Sequence, residues 1–205
     1  MTLTVWQKPC ARGVARVKPV AQTEICMERN LTHIALFAAL VAVLGLVPSI
    51  MLPGGVPITA QSLGIMLCGT VLGSKRGALA VLLFLALVAV GLPLLAGGRG
   101  GLGVFVGPSA GFLIGFPIAA FIAGLVVERW SAPVGYAAFA GAFLGGIALY
   151  AFGIPGMMIV LGKSLPEAAL LVTPYLPGDL IKSVLAAFVT RGIAQMRPGA
   201  LLSRN

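Results

Sequence analysis

Residues 109–127 read SAGFLIGFPIAAFIAGLVV and residues 134–153 read VGYAAFAGAFLGGIALYAFG. Neither run carries a charge, and only Glu128, Arg129 and a turn ending in Pro133 separate them. About 20 apolar residues in a helix cross the roughly 30 Å hydrocarbon core of a bilayer, and a helix satisfies its backbone N–H and C=O groups where no water can. Two such runs joined by a short charged connection predict a pair of antiparallel membrane helices.

Working outward, apolar runs bounded by Pro, Gly and charge predict four more helices, at 31–50, 57–73, 77–95 and 178–195. The composition agrees: 59% of the 205 residues are hydrophobic and 9% charged, against about a quarter charged in soluble domains. The expectation is an all-α integral membrane protein, a bundle of six transmembrane helices spanning residues 31–196. A basic tail at 1–30 precedes it and a short tail at 197–205 follows.

The net charge of +9 does not point to nucleic acid, because the cations are scattered between apolar runs instead of lining one face. They mark membrane sides. Lys8, Arg12, Arg16, Lys18, Arg29, Lys75, Arg76, Arg129, Arg191, Arg197 and Arg204 fall on one side of the expected bundle, and only Arg99 and Lys163 on the other. Short cytoplasmic loops are rich in Lys and Arg, so both termini are expected in the cytoplasm. Residues 1–30 lack the short apolar core of a cleavable signal, so the first helix itself is expected to direct insertion. The connections on the other side, 51–56, 96–108 and 154–177, are apolar or glycine-rich and are expected to fold back over the bundle. Within the last, Ser164 and Glu167 have the spacing of a capping box opening a short surface helix.

Few residues can carry chemistry. Of five acids, only Asp179 enters an expected span, and Lys182 follows at i+3 on the same face. Each would cost about 2.5 to 3.5 kcal/mol at a helix centre on insertion scales, so such residues tend to face a polar cavity. With a helix start at Pro177 they lie about 3 and 8 Å along the axis, which puts the site near the outer end. The competing reading has Lys182 snorkelling to the interface and merely neutralising Asp179. Arg99, the one cation of a glycine-rich loop, is a candidate for an anionic ligand group, although a solvated loop Arg fits nearly as well. Gln61 and Thr59 form a further polar element near the outer end of the second helix, and a lone Gln there also serves to bond helices together.

The stretch Gly98-Arg-Gly-Gly-Leu-Gly103 matches GxGxxG formally but lacks the strand, helix and distal acid of a dinucleotide site. Cys10, Cys26 and Cys68 have no metal-like spacing, Ser109 has no base to activate it, and no Walker sequence occurs. Neither enzyme, resident cofactor nor metal is expected. A membrane-embedded enzyme on a small anionic ligand would need a catalytic dyad, and an ion-coupled carrier would be expected to show inverted repeats or broken helices.

The segment Gly107-Pro-Ser109-Ala-Gly111-Phe112-Leu-Ile-Gly115 resembles a motif of the BioY family. Val56-Pro-Ile-Thr59-Ala-Gln61-Ser-Leu-Gly64 and Tyr175-Leu-Pro-Gly-Asp179-Leu-Ile-Lys182 resemble two others, in the same order. Phe112 stands where that family commonly has Tyr, and Ser109 where it has Thr. The resemblance, covering residues 30 to 195, implies the substrate-binding (S) component of an energy-coupling factor (ECF) transporter in a bacterial cytoplasmic membrane. Its ligand would be biotin, and its partners a coupling protein and two ABC-type ATPases.

Under that resemblance Asp179 accepts from the ureido N–H groups and Lys182 donates to the ureido oxygen or the carboxylate. Gln61 and Thr59 add polar contacts, Arg99 attracts the carboxylate, and Ser109, Phe112 and Tyr175 complete the walls. Ala35, Ala39 and Ala42 give the first helix a small-residue stripe that admits a close neighbour. The resemblance makes that neighbour the coupling protein, while packing inside the bundle uses the same spacing; whether the chain forms a homo-oligomer is left open by the sequence.

Overall fold

The computed structural model describes residues 20–51 and 55–204, with side chains from Met27 onward apart from that of Met51. Lys8, Arg12, Arg16, Lys18 and Cys10, and the side chains of Glu24 and Cys26, lie outside the described residues. Seven α-helices follow in order: α1 Val20–Leu44, α2 Gln61–Leu72, α3 Ser74–Ala89, α4 Ala110–Arg129, α5 Val134–Leu161, α6 Leu165–Val172 and α7 Tyr175–Met196. A two-stranded antiparallel ribbon, β1 Ile50–Met51 with β2 Pro57–Ile58, lies between α1 and α2.

The long apolar helices stand where the sequence puts them, and the differences have local causes. α1 begins at Val20, well before residue 31, so the helix extends into the expected tail. α2 starts at Gln61 because Pro57 and Ile58 pair as a strand. α3 starts at Ser74 because Glu128, brought over from α4, caps it: its carboxylate accepts from the Ser74 N–H at 2.9 Å and the Ser74 hydroxyl at 2.8 Å. Only Gly73, at φ +90°, separates α2 from α3. α5 continues through Pro155 to Leu161 and ends on Gly162 in the left-handed region.

The core is filled by Ile65, Leu72, Val81, Phe84, Leu113, Phe116 and Met157 from α2 to α5. α4 and α5 approach backbone to backbone at Gly111 and Gly156, where a Cβ on Gly156 would stand 2.6 Å from the Gly111 Cα. Small residues allow such approach, and dispersion replaces the absent hydrophobic drive. Thr70 and Thr190 share a buried hydrogen bond of 2.9 Å that ties α2 to α7. Large apolar side chains, Leu36, Val90, Ile159 and Phe188 among them, point outward, the pattern of a body solvated by lipid.

Three helical stretches are long and apolar enough to cross a membrane, Met27–Leu44, Ala110–Arg129 and Val134–Leu161, and α6 with α7 forms a fourth across a 50° bend. α2, with 12 residues, rises only about 18 Å.

The two ends of the bundle differ. At one, the cation-rich turns meet: Arg76 donates to Leu202 O at 3.2 Å, and Arg204 to Trp130 O and Ala132 O at 2.7 and 2.9 Å. The expected tail is packed there through residue 203, since Leu201, Leu202 and Ser203 are buried and Ser203 bonds the Val71 and Thr70 carbonyls at the end of α2. At the other end lie the ribbon, the loop from residue 92 to 109, α6 and the start of α7. The capping box holds as expected, with the Glu167 carboxylate accepting from the Ser164 N–H and hydroxyl at 2.9 and 2.8 Å.

Candidate functional site

α7 begins at Tyr175, so Asp179 and Lys182 sit about 6 and 10 Å along it, near the ribbon end. Their side chains pair at 2.9 Å and are 12% and 15% exposed. The pair does not stand alone. Lys182 Nζ also donates to Ser62 Oγ at 2.9 Å, and that hydroxyl lies 3.3 Å from Asp179 Oδ1. The Tyr150 hydroxyl, from α5, donates to Asp179 Oδ2. α2, α5 and α7 thus each place a polar group at one point.

Around this network lies a cleft of about 50 Å³, walled by Val56, Pro57, Thr59, Phe112, Phe116 and Tyr175. Phe112 stands edge-on to Tyr150, ring centroids 6.4 Å apart. Gly153 makes this possible, because a Cβ there would stand 2.3 Å from a Phe112 ring carbon. The Tyr175 hydroxyl donates to the Val56 carbonyl and so locks the start of α7 to the ribbon. Chemically the cleft offers carboxylate acceptors, an ammonium donor and aromatic walls, a set that suits a neutral ring with N–H and C=O groups joined to an anionic tail.

The structure brings together five of the eight expected ligand residues: Asp179, Lys182, Thr59, Phe112 and Tyr175. Three lie elsewhere. Gln61 is 2% exposed, and its amide is spent on backbone: Nε2 donates to Val41 O at 3.2 Å and Leu94 O at 3.0 Å, and Oε1 accepts from the Ala96 N–H at 3.1 Å. Ser109 is buried at the start of α4, outside the cleft lining. Arg99 closes a tight turn, its Nε donating to Ala96 O at 3.1 Å beside a Leu95–Arg99 bridge. The positive φ of Gly97 and Gly98 serves that turn. Ala35 and Ala39 face outward on α1, and Ala42 is half-buried against the core.

The BioY family profile matches residues 17–199. The chain belongs to the BioY family.

A curated BioY relative, "Biotin transporter BioY" of Rhodobacter capsulatus, is 60% identical over 190 residues, covering 87% of this chain and all of that one. "Probable biotin transporter BioY" of Bacillus subtilis is 46% identical over 81% of this chain and 90% of its own length. Among solved structures the fold matches "Crystal structure at 2.1 A of the S-component for biotin from an ECF-type ABC transporter", at a TM-score of 0.77 and 29% identity, covering 87% of this chain and 95% of that one.

Two polar residues of this network, Ser62 and Tyr150, are absent from the residues singled out in the sequence. Ser62 follows Gln61 within one of the motifs, and the helical step of about 100° per residue is what turns it toward α7 while Gln61 faces the loop. Tyr150 is one of only three tyrosines, and because α5 runs on past residue 153 to Leu161 it lies well inside that helix. A hydroxyl so deep in a span needs a partner, and that is the signal that marks it.

Proposed function

We propose that this chain captures biotin from outside the cytoplasmic membrane with high affinity, as the substrate-specific component of an ECF-type transporter. The observation that carries the reading is the Asp179–Lys182 pair with Ser62 and Tyr150 among aromatic walls, in a chain of the BioY family.

Biotin brings two ureido N–H donors, a carbonyl and a carboxylate. Asp179 takes the N–H groups, Lys182 and Ser62 meet a biotin oxygen, and Phe112, Tyr150 and Tyr175 pack on the rings. Thr59 supplies a hydroxyl at the rim. The cleft of about 50 Å³ is below the roughly 300 Å³ of small ligand pockets, so entry requires it to widen. The outer loops and the bend between α6 and α7 supply that movement and then close over the ligand. Arg99, held on its turn at this end, attracts the carboxylate during entry, an effect on encounter more than on the bound state.

The reading takes α1 to α5 and α7 as six crossings of a domain at 31–196. α2 and α3 are short, at 12 and 16 residues, but Val56 and Pro57 just before α2 are buried, and non-helical backbone at membrane depth is tolerated where protein covers it. The cation-rich end faces the cytoplasm with both termini. Reorientation is driven by ATP hydrolysed on two partner ATPases through a coupling protein, which packs against the outward face of α1 at Ala35 and Ala39.

Calorimetry on the purified full chain tests the core of this reading. A saturable one-to-one heat with biotin and none with thiamine is expected. Heat with thiamine and none with biotin would overturn the ligand assignment. Uptake of labelled biotin in cells with and without the coupling module tests the partners.

A further inference from the structure

Between α5 and α7, at the end away from the biotin cleft, runs a groove of about 670 Å³ whose walls include Tyr136, Phe139, Val184, Phe188, Arg191 and Gln195. Arg191 is the single charged residue in its lining. It lies 12 residues beyond Asp179 on α7, about 18 Å along the axis, so the groove and the cleft are separate places. Arg76 and Arg204 at the same end are held by backbone carbonyls. Arg191 makes no hydrogen bond or ion pair among the described residues. No acid occurs between residues 129 and 166 or after 179, and Glu128 is occupied by Ser74. No described carboxylate is paired with the guanidinium.

The groove is also graded along its length. Toward the middle of the bundle its walls are Val184, Phe188 and Phe139, and toward the end they are Arg191, Gln195 and Tyr136. Phe188 and Tyr136 are exposed, at 66% and 71%, and Tyr136, toward the end of the groove, stands as tyrosines at a membrane interface do. Gly135 forms floor beneath Arg191, with 3.4 Å from a Cβ placed there to the Arg191 Cδ.

We infer that this groove binds an anionic phospholipid, with the phosphate on Arg191 and Gln195 and an acyl chain along Phe188, Val184 and Phe139. The planar guanidinium suits a phosphate oxygen pair, and basic pockets between membrane helices take acidic head groups. The apolar stretch directly inward of the cation distinguishes a lipid from a free phosphate. The inference rests on the membrane reading above but not on biotin as the ligand, nor on which end faces the cytoplasm.

Native mass spectrometry of the full chain in detergent, titrated with phosphatidylglycerol and phosphatidylcholine of identical acyl chains, tests it. Wild type is expected to retain phosphatidylglycerol about fivefold more strongly, the effect of one well-placed cation. Arg191→Gln should abolish that preference, while Arg197→Gln, outside the groove, should keep it. Gly135→Leu, which leaves the cation and fills the floor, should lose bound phosphatidylglycerol, and it serves if Arg191→Gln fails to fold. Inorganic phosphate at the lipid's concentration should displace nothing. Equal retention of the two lipids by wild type, an unchanged preference in Arg191→Gln, or displacement by inorganic phosphate would overturn the inference. Biotin heat measured on the same samples separates the two proposals: its absence alongside an intact lipid preference strikes only the biotin reading.

Discussion

Gln61 and Ser62 are adjacent on α2, yet their polar groups have opposite characters. Gln61 bonds only to backbone, three groups contributed by α1 and the loop after α3. Ser62 joins side chains that bond one another, Lys182, Asp179 and through it Tyr150. Backbone partners are fixed by the fold and cannot be surrendered without unsatisfied buried groups. Side chains that hold one another can exchange partners for a ligand of matching pattern. The difference separates the frame of this molecule from its site, and each half of it can be challenged.

The largest effect is expected at the frame. Gln61→Leu keeps the volume but strips partners from Val41 O, Leu94 O and the Ala96 N–H, and an unsatisfied buried group costs about 1 to 3 kcal/mol. A loss of about 3 kcal/mol or more in unfolding free energy is expected, read by thermal or denaturant unfolding in detergent. Unchanged stability together with lost biotin binding would move Gln61 back into the site.

Glu128→Gln is the milder version at the opposite end. Its carboxylate accepts both the N–H and the hydroxyl of Ser74 at the start of α3, where the helix dipole favours negative charge. The amide keeps one acceptor, so a loss of about 1 kcal/mol is expected, with biotin binding unaltered in the same preparation. A binding defect without a stability change would show that this end is coupled to the cleft.

The smallest effect belongs to the capping box of α6. Bonds from the Ser164 N–H and hydroxyl hold the Glu167 carboxyl below its ordinary range. A depressed folded pKa contributes stability above the ordinary carboxylate pKa and loses it as pH falls through the folded value. Ser164→Ala should therefore unfold slightly below wild type at neutral pH, with the gap closing on acidification. A gap that widens in acid would contradict the assignment.

Much of this fold is legible in sequence because lipid imposes one rule on every span, and the runs at 109–127 and 134–153 obey it without interruption. The capping box is local and so is visible as well. The i+3 spacing of Asp179 and Lys182 depends only on their being helical. What escapes is whatever depends on one element meeting another. The partners of Gln61 include Leu94 and Ala96, more than thirty residues away in an irregular loop. The role of Tyr150 depends on how α5 packs on α7, and the early start of α3 on a glutamate from α4. Residues 201–203 read as a tail, and become core only because the end of α2 leaves carbonyls for Ser203 to bond.

The most direct test of the account is biotin calorimetry on the double variant Asp179→Asn, Lys182→Met. If the pair is a structural neutralisation, removing both charges restores balance, and binding at near wild-type affinity is the result that would contradict the account. If the pair exchanges its internal partners for biotin, stability survives and affinity does not. Hydrogen bonds to charged groups contribute about 1.5 to 3 kcal/mol each, so the account predicts affinity weaker by about a hundredfold or more, with an unfolding temperature close to that of wild type.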